Sequence, residues 1–159
     1  IQAAEAWKIA NPDKGRAEAV IGTAMAPNDV ADFIAWDHSV LCSDGMIGSR
    51  HPRGTGAFAK VLRLYVREQK RLTMAQAIRK MTALTAEQLG VSGRGRIRPG
   101  YKADLVLFDP DRVTDRATVE TPGALAEGVE MVMVNGVIVA GNGKATGNYP
   151  GQFLRRGVQ

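Results

Sequence analysis

The sequence lacks the features that mark disulfide-rich, membrane-spanning and nucleic-acid-binding proteins. Cys42 is the only cysteine among 159 residues, so no internal disulfide can form. No apolar stretch approaches the roughly 20 residues that span a bilayer, and the pattern of residues 1–30 predicts no signal peptide within the given sequence. The net charge is +5, but lysine and arginine are scattered and form no dense basic block, which argues against a nucleic-acid partner.

An initiator methionine is also missing. Residues 1–7 open in the pattern of a helix interior, which predicts that the sequence is a truncation of a longer protein. We expect a cytoplasmic protein, but a truncated amino terminus carries no targeting information.

What is present is the composition of an ordinary globular protein, with 45% apolar and 23% charged residues. The length suffices for one domain with a real core or for two small ones. Up to residue 43 the pattern predicts a helix, a strand, a helix and a buried strand, at 1–10, 17–25, Pro27 to Trp36 and 39–43. This alternation is typical of an α/β fold with parallel strands and crossover helices.

The remainder is first helical and then β-rich. We predict a helix over 56–69, a second helix capped by Thr73 with Gln76, and a short third one capped by Thr85 that ends at Gly90. Residues 93–145 predict a small β unit, with a buried strand at 104–109 and strands at 129–134 and 137–140. The Asn135-Gly136 dipeptide between the last two predicts a hairpin turn, and Gly141-Asn142-Gly143 predicts a second turn.

Asp44 is the first candidate for chemistry. It ends the predicted strand at 39–43 and is followed at once by Gly45. In α/β proteins the carboxyl ends of strands carry the active site. An aspartate before glycine also commonly caps a loop, and on the residues alone that role is the more frequent one.

Three stretches of the sequence resemble the amidohydrolase superfamily, and specifically its N-acyl-D-amino-acid deacylases (D-aminoacylases). The stretches are Leu41 to Gly45 with His51 to Phe58, then Tyr65 to Glu68 with Leu72-Thr73 and Ala77 to Thr82, and finally Gly95 to Asp109 with Val132 to Gly136. The last stretch is shared across the superfamily. The first two together resemble the deacylase branch.

The resemblance implies the carboxyl-terminal fragment of a (β/α)₈ TIM barrel, followed by part of a small β-sandwich domain. Residues 1–92 would supply the last β/α units, with 17–25 as the seventh strand and 39–43 as the eighth. Residues 93–159 would form part of the β domain with a carboxyl-terminal tail.

The resemblance also implies zinc-dependent cleavage of N-acyl-D-amino acids, small-molecule substrates, to a carboxylate and a D-amino acid. Asp44 would be the catalytic carboxylate and a candidate metal ligand. The family's other ligands lie on strands that this chain lacks, so the fragment alone is expected to be inactive and to retain no zinc. Association with the missing amino-terminal part, or self-association, would cover its open strand edges.

Four further residues are expected near the substrate: Ser43, Gly45, His51 and Arg53. The Arg53 guanidinium suits a substrate carboxylate, or equally a salt bridge that fixes the loop. A lone loop histidine such as His51 is more often scaffolding than a metal ligand, and Gly45 can serve the backbone alone. Two alternatives stay open for the whole chain, a cyclic-amide hydrolase of the dihydroorotase or hydantoinase type and a non-catalytic structural module.

Overall fold

The computed structural model describes residues 25–46 and 51–155; the helix predicted at 1–10 and nearly all of the strand predicted at 17–25 lie outside them. The helices are α1 (Pro27–Ala35), α2 (Arg53–Lys60), which continues without a break as the π-helix Val61–Glu68, α3 (Met74–Met81) and α4 (Ala83–Leu89). The strands are β1 (Leu105–Phe108), β2 (Val129–Val134), β3 (Val137–Gly141) and β4 (Lys144–Ala145). Among these helices, none has the length and apolarity to cross a membrane.

Local side-chain chemistry explains where α3 begins. Thr73 Oγ1 accepts a 3.2 Å hydrogen bond from Gln76 N, and Thr73 N donates to Gln76 Oε1 at 2.8 Å, so the predicted capping box is confirmed. The N-cap position of α4 is Thr82, and not Thr85 as predicted, and its side chain forms no capping hydrogen bond. Helix α4 begins two residues before Thr85, whose hydroxyl donates to Lys80 O at 2.6 Å. The predicted end at Gly90 is confirmed, with a left-handed φ of 67°.

The helix predicted at 56–69 is observed from Arg53 to Glu68, but its second half is wider than an α-helix. Gln69 N donates to Leu64 O, five residues back, at 2.8 Å. Such π-helical turns are rare in proteins, and those that occur are often found at functional sites. The widened segment still places Val61, Leu62 and Tyr65 in the core.

The four strands form one antiparallel sheet in sequence order, β1-β2-β3-β4. Val134 pairs with Val137 across the predicted turn, where Asn135 and Gly136 have φ of 48° and 82°. Both residues thus adopt the positive φ that a two-residue hairpin needs, and the prediction is confirmed. The turn after β3 is confirmed too, because Gly141 pairs with Lys144.

Strand β1 is observed where a buried strand was predicted, but it is not buried. Val106 and Leu107 are 56% and 52% exposed, although successive residues point to opposite faces. Both residues lie on the edge strand of the sheet, whereas Phe108 at the end of β1 packs against the core of the helical part.

The core lies in the helical part, and the sheet is joined to it through the connection between β1 and β2. Val113, in that connection, is 1% exposed and packs with the buried residues of α1, α2, the π-helix and α3. Gly128 makes the packing possible. Its φ is 77°, and a Cβ there would lie 2.5 Å from Val113 N. The 109–128 connection is therefore fixed against the helices.

Candidate active site

The segment that leads to Asp44 has no regular secondary structure and pairs with no strand among residues 25–46 and 51–155. The strand predicted at 39–43 is therefore not observed. A β-strand is defined by backbone hydrogen bonds to a neighbouring strand. Here Leu41 N instead donates a 3.4 Å hydrogen bond to Lys80 O in α3. Cys42, expected to be buried in that strand, is exposed.

Asp44 is paired with Arg53, the first residue of α2. Its φ is 49°, in the left-handed region that aspartate and asparagine tolerate better than most residues. Arg53 Nη2 lies 2.5 Å from Asp44 Oδ2, and the two side chains are 48% and 70% exposed. The arrangement is the loop-fixing salt bridge, one of the two roles considered for Arg53.

Ser43 and Gly45 shape the base of the same loop. Gly45 N donates to Ser43 Oγ at 3.1 Å. A Cβ on Gly45 would lie 2.8 Å from Gly54 Cα, so the two glycine backbones touch where the loop closes. Glycine at 45 is therefore required by close approach of the backbone.

His51 is part of the loop's hydrogen-bonded scaffold. Its Nδ1 accepts a 3.1 Å hydrogen bond from Arg53 N, and Gly54 N donates to His51 O at 3.1 Å. These bonds hold the start of α2 beside the Asp44 loop. These contacts link His51 to Arg53 and, through the salt bridge, Arg53 to Asp44.

A cavity of about 840 Å³ adjoins this loop. Its walls come from α1, residues 40–42, residues 51–53, the helix that follows and the loop 115–120. Among the described residues, His51 and Arg53 line the cavity whereas Asp44 and Ser43 do not. The lining is mainly apolar, with charged groups supplied by Arg53, Lys60, Asp115 and Glu120.

The far wall of the cavity is held by two arginines of the π-helix, which sequence reasoning missed. Arg63 Nε and Nη2 donate to the Asp115 carboxylate at 2.6 and 3.3 Å, and Arg67 Nη1 donates to Val113 O at 2.8 Å. Burial by itself raises the pKa of Asp115, but the hydrogen bonds from Arg63 and from a backbone amide, together with the positive charges of Arg63 and Lys60, bring that pKa below its usual value. Thr55 Oγ1 adds a 2.6 Å bond to Pro122 O.

Lys80 is the second feature that was missed. It is 3% exposed, the one charged residue of the described chain that is buried. Its ammonium donates to Trp36 O, to Ser39 O at 3.2 Å and to Ser39 Oγ at 3.1 Å. Burial lowers the pKa of Lys80, and nearby Asp37 opposes the shift. A signal was available, because Lys80 follows the buried Ala77 by three residues and shares its helix face.

The described residues do not by themselves fit a zinc ion. Across 25–46 and 51–155, no group of three or more histidine, cysteine, aspartate or glutamate side chains could hold a metal. A catalytic zinc site takes three protein ligands. His38 lies away from Asp44 with its ring edge-on to Trp36, at 5.4 Å between centroids.

Comparison with known proteins identifies the family of this chain. The sequence profile described as "Amidohydrolase family" matches residues 35–140, which is two thirds of the chain. The chain belongs to the amidohydrolase family. The family match spans the Asp44 loop, helices α2 to α4 and strands β1 and β2 in full, with most of β3.

Three relatives share most of this amidohydrolase chain. It is 49% identical over 135 residues to an N-acyl-D-aspartate deacylase, and 41% identical over 134 residues to a D-aminoacylase, both of Alcaligenes xylosoxydans xylosoxydans. These alignments cover 84% and 83% of the chain but 27% and 28% of the relatives.

The third relative is a solved structure, an N-acyl-D-glutamate deacylase from Bordetella bronchiseptica complexed with zinc and a phosphonate inhibitor. It matches with a TM-score of 0.72 and 41% identity, over 77% of this chain and 26% of that one. The chain thus spans a little over a quarter of the length of the proteins it matches.

Proposed function

We propose that this chain is the carboxyl-terminal part of a zinc-dependent N-acyl-D-amino-acid deacylase. The observation that carries the proposal is the 49% identity over 135 residues to an N-acyl-D-aspartate deacylase. The family match over residues 35–140, which include Asp44 and the helices that follow it, supports the same proposal. A cytoplasmic location stays a prediction.

In the complete protein, we propose that residues 1–92 close a (β/α)₈ barrel and that residues 93–159 belong to a small β-sandwich domain. Residues 39–43 would then pair as the eighth strand, because the missing neighbours supply the ladder that no described residue supplies. The antiparallel sheet β1–β4 supports the second part. Its exposed Val106 and Leu107 would be covered by the missing part of the protein.

The chemistry that this chain supplies is proton transfer by Asp44. Zinc, held chiefly by residues outside this chain, would contribute Lewis-acid activation in the complete enzyme. The Asp44 carboxylate accepts a proton from the attacking water and returns it to the amide nitrogen as that nitrogen leaves. Its position on a loop at 70% side-chain exposure supports access to a substrate.

The substrate's carboxylate is proposed to bind Arg53. A guanidinium carries five N–H donors, and the Asp44 pair occupies one of its terminal nitrogens. The remaining donors can form a forked pair with a carboxylate beside the cavity. Ser43, Gly45 and His51 act by shaping this loop. Among N-acyl-D-amino acids we propose N-acyl-D-aspartate as the preferred class, because the identity to that deacylase is the higher one, 49% against 41%.

Substrate profiling of the complete zinc-loaded enzyme tests the proposal. We expect N-acetyl-D-aspartate to be hydrolysed with a kcat/KM at least about 100-fold above that of its L enantiomer, since the pocket must orient the α-carboxylate and the amide together. The measurement is release of free amino acid. N-acetyl-D-glutamate and N-acetyl-D-methionine serve as comparison substrates. Hydrolysis of a cyclic amide such as dihydroorotate, with no turnover of any N-acyl-D-amino acid, would contradict it and favour the cyclic-amide alternative.

A further inference from the structure

Lys80 binds the segment upstream of Asp44 with every donor that it has. An ammonium has three protons, and the oxygens within reach are Trp36 O, Ser39 O and Ser39 Oγ. No carboxylate of the described chain forms a salt bridge with it. Its three protons are therefore accepted by two carbonyl oxygens and a hydroxyl on the stretch that follows α1, and the nearby Asp37 carboxylate adds a favourable charge.

The backbone of Lys80 holds the next part of the same stretch. Lys80 O accepts from Leu41 N at 3.4 Å and from Thr85 Oγ1 at 2.6 Å. One helix further on, Gln88 Nε2 donates to His38 O at 3.1 Å. Residues 36–41 are thus tied to α3 and α4 at four positions, the last of them three residues before the catalytic candidate.

We propose that Lys80 is a positioning residue for Asp44: its ammonium fixes residues 36–41 on α3, so that the Asp44 loop is held where its carboxylate transfers the proton. The inference rests on the proposed function. Proton transfer requires the carboxylate within hydrogen-bond reach of the reacting atoms. A displacement of about 1 Å can cost on the order of 100-fold in rate.

Lys80→Met is the informative substitution. Methionine matches the length and apolar stem of lysine but donates no hydrogen bond, so two carbonyls and a hydroxyl lose their buried donor. The segment then relaxes away from α3. Lys144→Met is the matched control, because Lys144 is an exposed lysine on β4, remote from the segment.

A double-mutant cycle with Asp44→Asn in the complete enzyme separates positioning from general destabilisation. We expect Lys80→Met to lower kcat by about 10- to 100-fold when Asp44 is present, with KM changed by less than about two-fold. In the Asp44→Asn background the same substitution should change kcat by less than about two-fold, because there is no carboxylate left to misplace. All rates are taken per folded protein, measured by circular dichroism at the assay temperature.

Each possible result either supports or overturns the inference about Lys80. An equal fold-loss in both backgrounds, a loss confined to KM, or a kcat within two-fold of wild type would each overturn the inference and leave the proposed function intact. If the wild-type enzyme had no deacylase activity, both the proposed function and the inference about Lys80 would be refuted. If Lys80→Met does not fold, Ser39→Ala enters the same cycle, since it removes one of the three acceptors and keeps the charge. A loss with Ser39→Ala that depends on Asp44 supports the inference, and one that does not overturns it.

Discussion

Asp44→Asn in the complete enzyme is expected to lower kcat by about 1,000-fold, which is about 4 kcal/mol of transition-state stabilisation. The amide has nearly the shape of the carboxylate but cannot accept the proton of the attacking water. Asparagine also tolerates the left-handed φ of 49° at this position, so the loop should keep its conformation. Steady-state kinetics with N-acetyl-D-aspartate measure the effect, and KM should change little because Arg53 remains.

The matched control is Asp111→Asn, an equal change of charge at an exposed aspartate in the connection between β1 and β2. It should leave kcat within about two-fold of wild type, as expected for a surface substitution away from the site. If Asp44→Asn also retained a rate within ten-fold of wild type, Asp44 would have no part in proton transfer.

The second large effect is expected from the isolated chain, which should show no zinc-dependent deacylation above background. It contains two histidines and one cysteine. Its described residues offer no group of three metal ligands, and a catalytic zinc needs three. Purified residues 1–159 would be assayed with added zinc, and bound metal would be measured after dialysis.

The complete enzyme at the same molar concentration is the positive control for that assay, with circular dichroism showing that the isolated chain is folded. Removing zinc from the complete enzyme with a chelator should abolish turnover, and returning zinc should restore it. Zinc-dependent turnover by the isolated chain at a rate near that of the complete enzyme would show that the ligands are present here after all.

Sequence reasoning succeeded where structure is decided by a few adjacent residues. The capping box of Thr73 and Gln76 spans four residues, and the Asn135-Gly136 hairpin depends on the φ preferences of two. Asp44, His51 and Arg53 are also close in sequence, and Arg53 contacts the other two, but their roles at the site stay predictions.

Prediction from sequence failed where a structural feature depends on a partner residue that is distant in sequence or missing from the described chain. Residues 39–43 have the composition of a strand, yet a ladder needs a neighbour that the described chain does not contain. Arg63 and Asp115 are 52 positions apart, so no window of sequence shows that they meet. Lys80 was not among the candidate residues, and its burial depends on the packing of residues 36–41 on α3, about 40 positions away in sequence.

The most direct test of the account is a crystal structure of the complete enzyme with a phosphonate inhibitor that mimics the tetrahedral intermediate. The quantity to measure is the distance from the Asp44 carboxylate to the nearest phosphonate oxygen. The account predicts a hydrogen bond of about 2.6–3.2 Å, the reach that proton transfer requires. An Asp44 carboxylate still paired with Arg53 and beyond hydrogen-bond reach of the inhibitor would contradict it.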